Sequence, residues 1–200
     1  MHSVRPTCFA LAAAALLLTA TSISRLAGAD QPARVASTGG HSPHETTSAV
    51  IGGRNGPRVT ITYGRPFSKD PKTGEIRKIW GTLVPWDKPY RLGADEATLL
   101  LTQAPLVFGD VTIPAGAYTL YMVPSETGPS KLAFSTNLGK WGIPVDEKHD
   151  VARVDLKKEN VDQPQVDQLT MAVEKDPAGG GVLKITWEKT QFSAHFTTKE

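Results

Sequence analysis

Residues able to do chemistry gather in one stretch of this 200-residue chain, Tyr63 to Thr102. Arg91 precedes the adjacent carboxylates Asp95 and Glu96, while Tyr63, Arg65, Trp80, Trp86 and Tyr90 lie upstream in a segment broken by Gly and Pro. An arginine fork holds a carboxylate, a phosphate or a pair of sugar hydroxyls through parallel N–H bonds. Asp95 and Glu96 could accept hydrogen bonds from a ligand, or one could act as a general base. Neighbours on a strand point to opposite faces, so strand geometry at 95–96 predicts that the two carboxylates do not form a facing pair. The competing reading of Arg91 is architectural, an ion pair with Asp95 or Glu96 that pins the turn at 89–94 to the sheet. Trp86, between Pro85 and Asp87, offers a flat face for stacking on a ligand, whereas Trp80 and Trp187 are expected to pack.

His41 and His44 stand three apart beside Glu45. With a third ligand from His149 or His195 this would make a zinc or copper site. Pro43 and the polar surroundings predict solvated loop histidines instead, so no metal site is assigned. The run Asp70 to Glu75 lacks the alternating Asp/Asn of a calcium loop and reads as a turn. The chain has no G-x-S-x-G, no phosphate loop and no dinucleotide fingerprint, and no cofactor is expected.

These residues must be held by strands. Val59, Ile61 and Tyr63 alternate with threonines, as do Leu120 and Met122 with their neighbours further on. Ala152, Val154 and Leu156 continue the pattern, then Leu169, Met171 and Val173, then Leu183, Ile185 and Trp187, then Phe192, Ala194 and Phe196. Turn residues separate them at Gly109-Asp110, Pro114 to Gly116 and Pro177 to Gly181. No segment of the predicted domain sustains a helical period, and Trp141 to Asp150 has room for one helical turn. About nine short strands of this kind predict an all-β fold, an antiparallel β-sandwich of jelly-roll type.

The N-terminus reads as a signal peptide over residues 1–29: Arg5, the apolar run Phe9 to Ala20, and Ala27-Gly28-Ala29 before polar Asp30. Cys8 precedes the apolar run and so cannot carry a lipid at the cleavage point. Residues 30–43 form a flexible lead-in, and residues 44–200 a single domain. Cleavage leaves 171 residues with no cysteine, so the core alone must hold the fold in a periplasmic or extracellular compartment. Losing Arg5 and Arg25 lowers the basic count from 22 to 20, equal to the 20 acidic residues. A neutral chain without a basic block is a poor partner for nucleic acid. The apolar run is short for a membrane span, so no stable insertion is expected after cleavage.

Several motifs occur together in order: Ser42-Pro43-His44, Tyr63-Gly64-Arg65-Pro66, Ile79 to Pro85 (IWGTLVP), Arg91 to Thr98 (RLGADEAT), Pro114 to Tyr121 (PAGAYTLY) and Trp141-Gly142. On these the chain resembles the bacterial secreted "domain of unknown function 2911" family, whose members commonly carry Asn at the position of Asp95 and often Arg at that of His44. The resemblance implies a secreted all-β domain and brings no activity with it. The leading expectation is a binding domain for a small polar or anionic ligand, with a carbohydrate among the candidates. Its pocket would use Arg65 and Arg91 as donors, Asp95 and Glu96 as acceptors, and Trp86 and Tyr63 as aromatic walls. The alternatives are a hydrolase using Glu96 or a His44/Glu45 metal site, and a cell-envelope interaction module that offers its sheet edges to a partner.

Overall fold

The computed structural model describes residues 42–162 and 165–199. The expected signal peptide and its cleavage point, Cys8, His41 and all but the end of the lead-in lie outside those residues. The strands are β1 (His44–Val50), β2 (Arg58–Gly64), β3 (Tyr90–Arg91), β4 (Ala94–Thr102), β5 (Leu106–Phe108) and β6 (Val111–Ile113). They continue as β7 (Gly116–Val123), β8 (Ser130–Ser135), β9 (Asp150–Asn160), β10 (Val166–Lys175), β11 (Gly181–Glu188) and β12 (Thr190–Thr198). The helical turn foreseen between 141 and 150 is a 3-10 turn, Glu147–His149, capped by the Asp146 carboxylate on Lys148 N–H.

All strand pairs are antiparallel, and the hydrogen-bonded order is β1-β2-β4-β7-β8-β9-β12-β11-β10. The expected sandwich is replaced by one nearly closed, barrel-like sheet. Alternation along a strand reveals that one face is buried, and it reads alike whether the sheet splits in two or curls on itself. What decides is the placement of the last three strands. β10 lies beside β1, and β11 and β12 then run back to meet β9. The short β3, β5 and β6 bring the total among the described residues to twelve strands. β1 (HETTSAV) escaped the sequence reading because its alternation is mostly threonine and serine.

The inward set predicted from alternation packs as one core. Trp187, Tyr63, Phe134, Phe192, Ile61 and Leu100 are fully buried within it. Side chains of this size fill the interior, so the barrel is not an open cup for a ligand. Ile79 and Val84 join the same core from the strand-poor segment 65–89. Trp80 lies against Phe192 with centroids 5.0 Å apart, the packing role expected of it.

The seam between β1 and β10 is latched mainly by side chains. The Tyr63 hydroxyl accepts from Met171 N–H at 2.8 Å and donates to Met171 C=O at 3.3 Å, serving as a substitute for a neighbouring strand. Arg65 donates from Nε to Leu169 C=O at 3.2 Å and from Nη2 to Thr170 Oγ1 at 2.9 Å. Its Nη1 pairs with Glu45 of β1 at 2.6 Å. Where β2 runs out, Ser68 N–H bonds Asp167 C=O and Leu169 N–H bonds Pro66 C=O, and the wall closes. Burial pushes the Tyr63 phenol above its ordinary value. Tyr63→Phe leaves Met171 N–H buried without a partner, which costs about 1–3 kcal/mol. Urea denaturation of the two proteins should show that loss, with the slope of the transition unchanged.

Candidate functional site

The site is built on an interruption of the β2–β4 ladder. Thr62 faces Leu99 and Gly64 faces Ala94, so the single residue Tyr63 stands opposite the four residues 95–98. A bulge of this size ends the in-out alternation and bends the strand. Gly64 permits it, because a Cβ there would lie 2.3 Å from Ala94 O. Asp95 takes a left-handed backbone, φ +62°, a conformation that Asp tolerates better than most residues.

The bulge changes where the carboxylates go. Asp95 Oδ2 and Glu96 Oε2 lie 3.7 and 3.4 Å from one atom, His44 Nε2. Strand geometry would have sent them to opposite faces; the left-handed residue brings both to the same imidazole. His44 is thus not a solvated loop histidine but a strand residue with its side chain 12% exposed. Both of its ring nitrogens, Asp95 Oδ2 and Glu96 Oε2 are buried and make no hydrogen bond. Glu45, next along β1, turns to Arg65 instead, so the His44/Glu45 pair is not formed as a site. Among the described residues no group of three or more His, Cys, Asp or Glu side chains is arranged to hold a metal ion.

Arg91 does not take the expected ion pair. Its Nη1 donates to the backbone carbonyl of Asp95 and, at 2.7 Å, to that of Trp141, while its guanidinium lies 5.1 Å from the centre of the Trp141 ring. Burial lowers the pKa of this guanidinium, opposed by the fields of Tyr90, Asp95 and Glu96. No carboxylate comes within ion-pair distance of Arg91 among the described residues.

Two of the cavities that Arg91 lines adjoin each other. One, of about 400 Å³, is lined by Arg77, Arg91, Tyr90, Phe67, Leu83 and Ile143 among others. The second, of about 480 Å³, shares Tyr90, Arg91 and Ile143 and adds Lys88, Pro89 and Pro144. Arg77 donates only to the carbonyls of Phe67 and, at 3.4 Å, Ser68, and like Arg91 has no carboxylate partner among the described residues. Sequence reasoning missed Arg77: a loop return from Phe67 brings it to the cleft, and no spacing in GEIRKIW records that.

The other expected ligand residues fall elsewhere. Tyr63 and Arg65 belong to the seam. Trp86 stacks on Trp80, with centroids 6.0 Å apart and planes 16° apart, and Lys158 Nζ sits 4.4 Å from its ring centre. Its ring is already engaged by protein groups, and it does not line either cleft. His195 is exposed on the last strand, as expected, 2.7 Å from Asp176.

Burial pushes the Tyr90 phenol up to about 12, against the lowering fields of Arg91 and Arg77. The folded state therefore keeps this proton where the unfolded chain, with a phenol near its ordinary value of about 10, releases it. The stabilisation is complete below that ordinary value and is lost as pH rises to about 12. Stability of the wild type should fall more steeply than that of Tyr90→Phe over this interval, measured by urea denaturation at stepped pH.

No curated protein and no solved structure matches this chain. A family model matches residues 42–196, a span that includes the seam, the bulge and both clefts. The chain belongs to the family described as "Protein of unknown function (DUF2911)".

Proposed function

We propose that this protein is a secreted or periplasmic binding domain for a small organic anion, held in the cleft between Arg77 and Arg91. One observation carries the reading: two guanidinium groups, neither paired with a carboxylate, line one open cleft beside a phenol that stays neutral. Partly desolvated cations with no carboxylate in direct contact attract an anion from solution. Phe67, Leu83 and Ile143 on the same walls suit an apolar body attached to the charged head. The signal-like N-terminus and the cysteine-free remainder support an extracytoplasmic location.

The other functional readings have less support. A hydrolase using Glu96 would need that carboxylate at the cleft, yet Glu96 is buried against His44 and does not line it. An interaction module would offer free sheet edges, yet β1 and β10 turn toward each other.

Sulfonates test the proposal because their charge does not change over the working pH range. Calorimetry with methanesulfonate, hexanesulfonate and benzenesulfonate should show affinity rising with apolar size. Arg77→Gln and Arg91→Gln should each weaken benzenesulfonate at least about tenfold, the loss expected for one charged hydrogen-bonding group. Arg65→Gln should lower stability and leave affinity unchanged. Absence of binding by all three sulfonates, or equal affinity in the Arg77 and Arg91 variants, overturns the proposal.

A further inference from the structure

His44, Asp95 and Glu96 are the largest group of buried, unpartnered polar atoms described in the molecule, and their chain neighbours Ser42, Gly93 and Ala94 line the cleft. Four atoms there make no hydrogen bond. A buried polar group without a partner calls for an explanation, and a pair of carboxylates facing one imidazole supplies one in terms of charge. With both ring nitrogens protonated, His44 is a cation with two anions at its Nε2. With one proton fewer, the same space holds two carboxylates and no counter-charge.

That charge is coupled to the cleft by two routes. The first is mechanical. Asp95 presents its carboxylate to His44 and its carbonyl to Arg91 Nη1, so whatever holds the left-handed Asp95 also fixes the guanidinium. The second is electrostatic, since the Asp95 and Glu96 carboxylates both act on the Arg91 charge without an ion-pair contact. When His44 loses its proton, the two carboxylates take a larger share of the Arg91 field and less is left for a ligand.

We propose that His44 is a positioning residue that makes anion binding at the Arg77–Arg91 cleft proton-linked, tight when the imidazole is charged and weaker when it is neutral. The inference rests on the anion-binding reading above and adds its regulation. Histidine is the side chain whose ordinary titration falls between pH 5 and 8. The groups placed against His44 are Asp95 and Glu96 of β4, with Arg91 of β3 acting through them. Glu45, its neighbour on β1, is neutralised by Arg65. A second histidine, His149, lies 3.0 Å from Asp146, whose neighbour Glu147 lines the second cleft, so it needs its own control.

The experiment is benzenesulfonate affinity measured by calorimetry from pH 5.5 to 8.5. In the wild type and in His149→Gln, affinity should fall about fivefold or more across that range, a coupling of ordinary allosteric size. In His44→Gln it should be flat. A pH dependence that survives in His44→Gln, or disappears in His149→Gln, overturns the proposal. Linkage is reciprocal, so a second measurement needs no variant at all. Followed by NMR in the wild type, the midpoint of the His44 imidazole titration should move upward when benzenesulfonate saturates the protein. A midpoint that does not move overturns the proposal even if His44→Gln fails to fold. Binding that is independent of pH defeats the linkage and leaves the anion site standing. No binding at any pH defeats both.

Discussion

The bond between the Tyr63 hydroxyl and the backbone of Met171 is the constraint on which the rest of the molecule turns. A sheet that curls until its ends approach must satisfy the outer N–H and C=O groups of its last strands, and a phenol on β2 does this for the middle of β10. Arg65 adds two contacts across the same line, to Leu169 and Thr170, and is tied to β1 through Glu45. Both residues were plausible ligand contacts by type. Their commitment to closure sets the position of Gly64 between them, and Gly64 is the residue against which the β4 bulge closes.

From that bulge follow the charges of the site. A regular β4 would alternate Asp95 and Glu96 between core and solvent. The left-handed Asp95 sends both carboxylates to His44 and leaves a carbonyl, not a carboxylate, for Arg91. Arg91 is therefore held in place without being neutralised. Arg77 is held in the same way, by carbonyls of Phe67 and Ser68. A guanidinium anchored through carbonyls keeps its full charge while losing its freedom, which lowers the cost of ordering it around a ligand.

The fold was legible in the sequence as far as local pattern reaches. Alternating apolar residues named the inward positions of β2, β7 and β9 to β12, and Gly/Pro punctuation marked the hairpin turns. The choice between sandwich and barrel was not legible, because it depends on β10 meeting β1 across more than a hundred residues. β1 itself was silent because Thr and Ser carry its alternation. At the site, Arg91 was legible from its charge and its place before a strand. The convergence of His44 with Asp95 and Glu96 was not, since adjacent carboxylates obey strand parity unless a bulge intervenes, and the bulge shows only in the pairing. Trp86 was misleading for a related reason: its partners, Trp80 and Lys158, include one that lies seventy-two residues away in the chain.

A wall latched by side chains has a mechanical character that a ladder lacks. Every other junction in this barrel must shear a row of backbone hydrogen bonds to open, while much of the β1–β10 seam can part by rotating two side chains. Tyr63 and Arg65 thus mark the line along which the cylinder is easiest to unzip. Because β2 lies beside that line and also faces the β4 bulge, the compliance of the barrel is concentrated where its charges are.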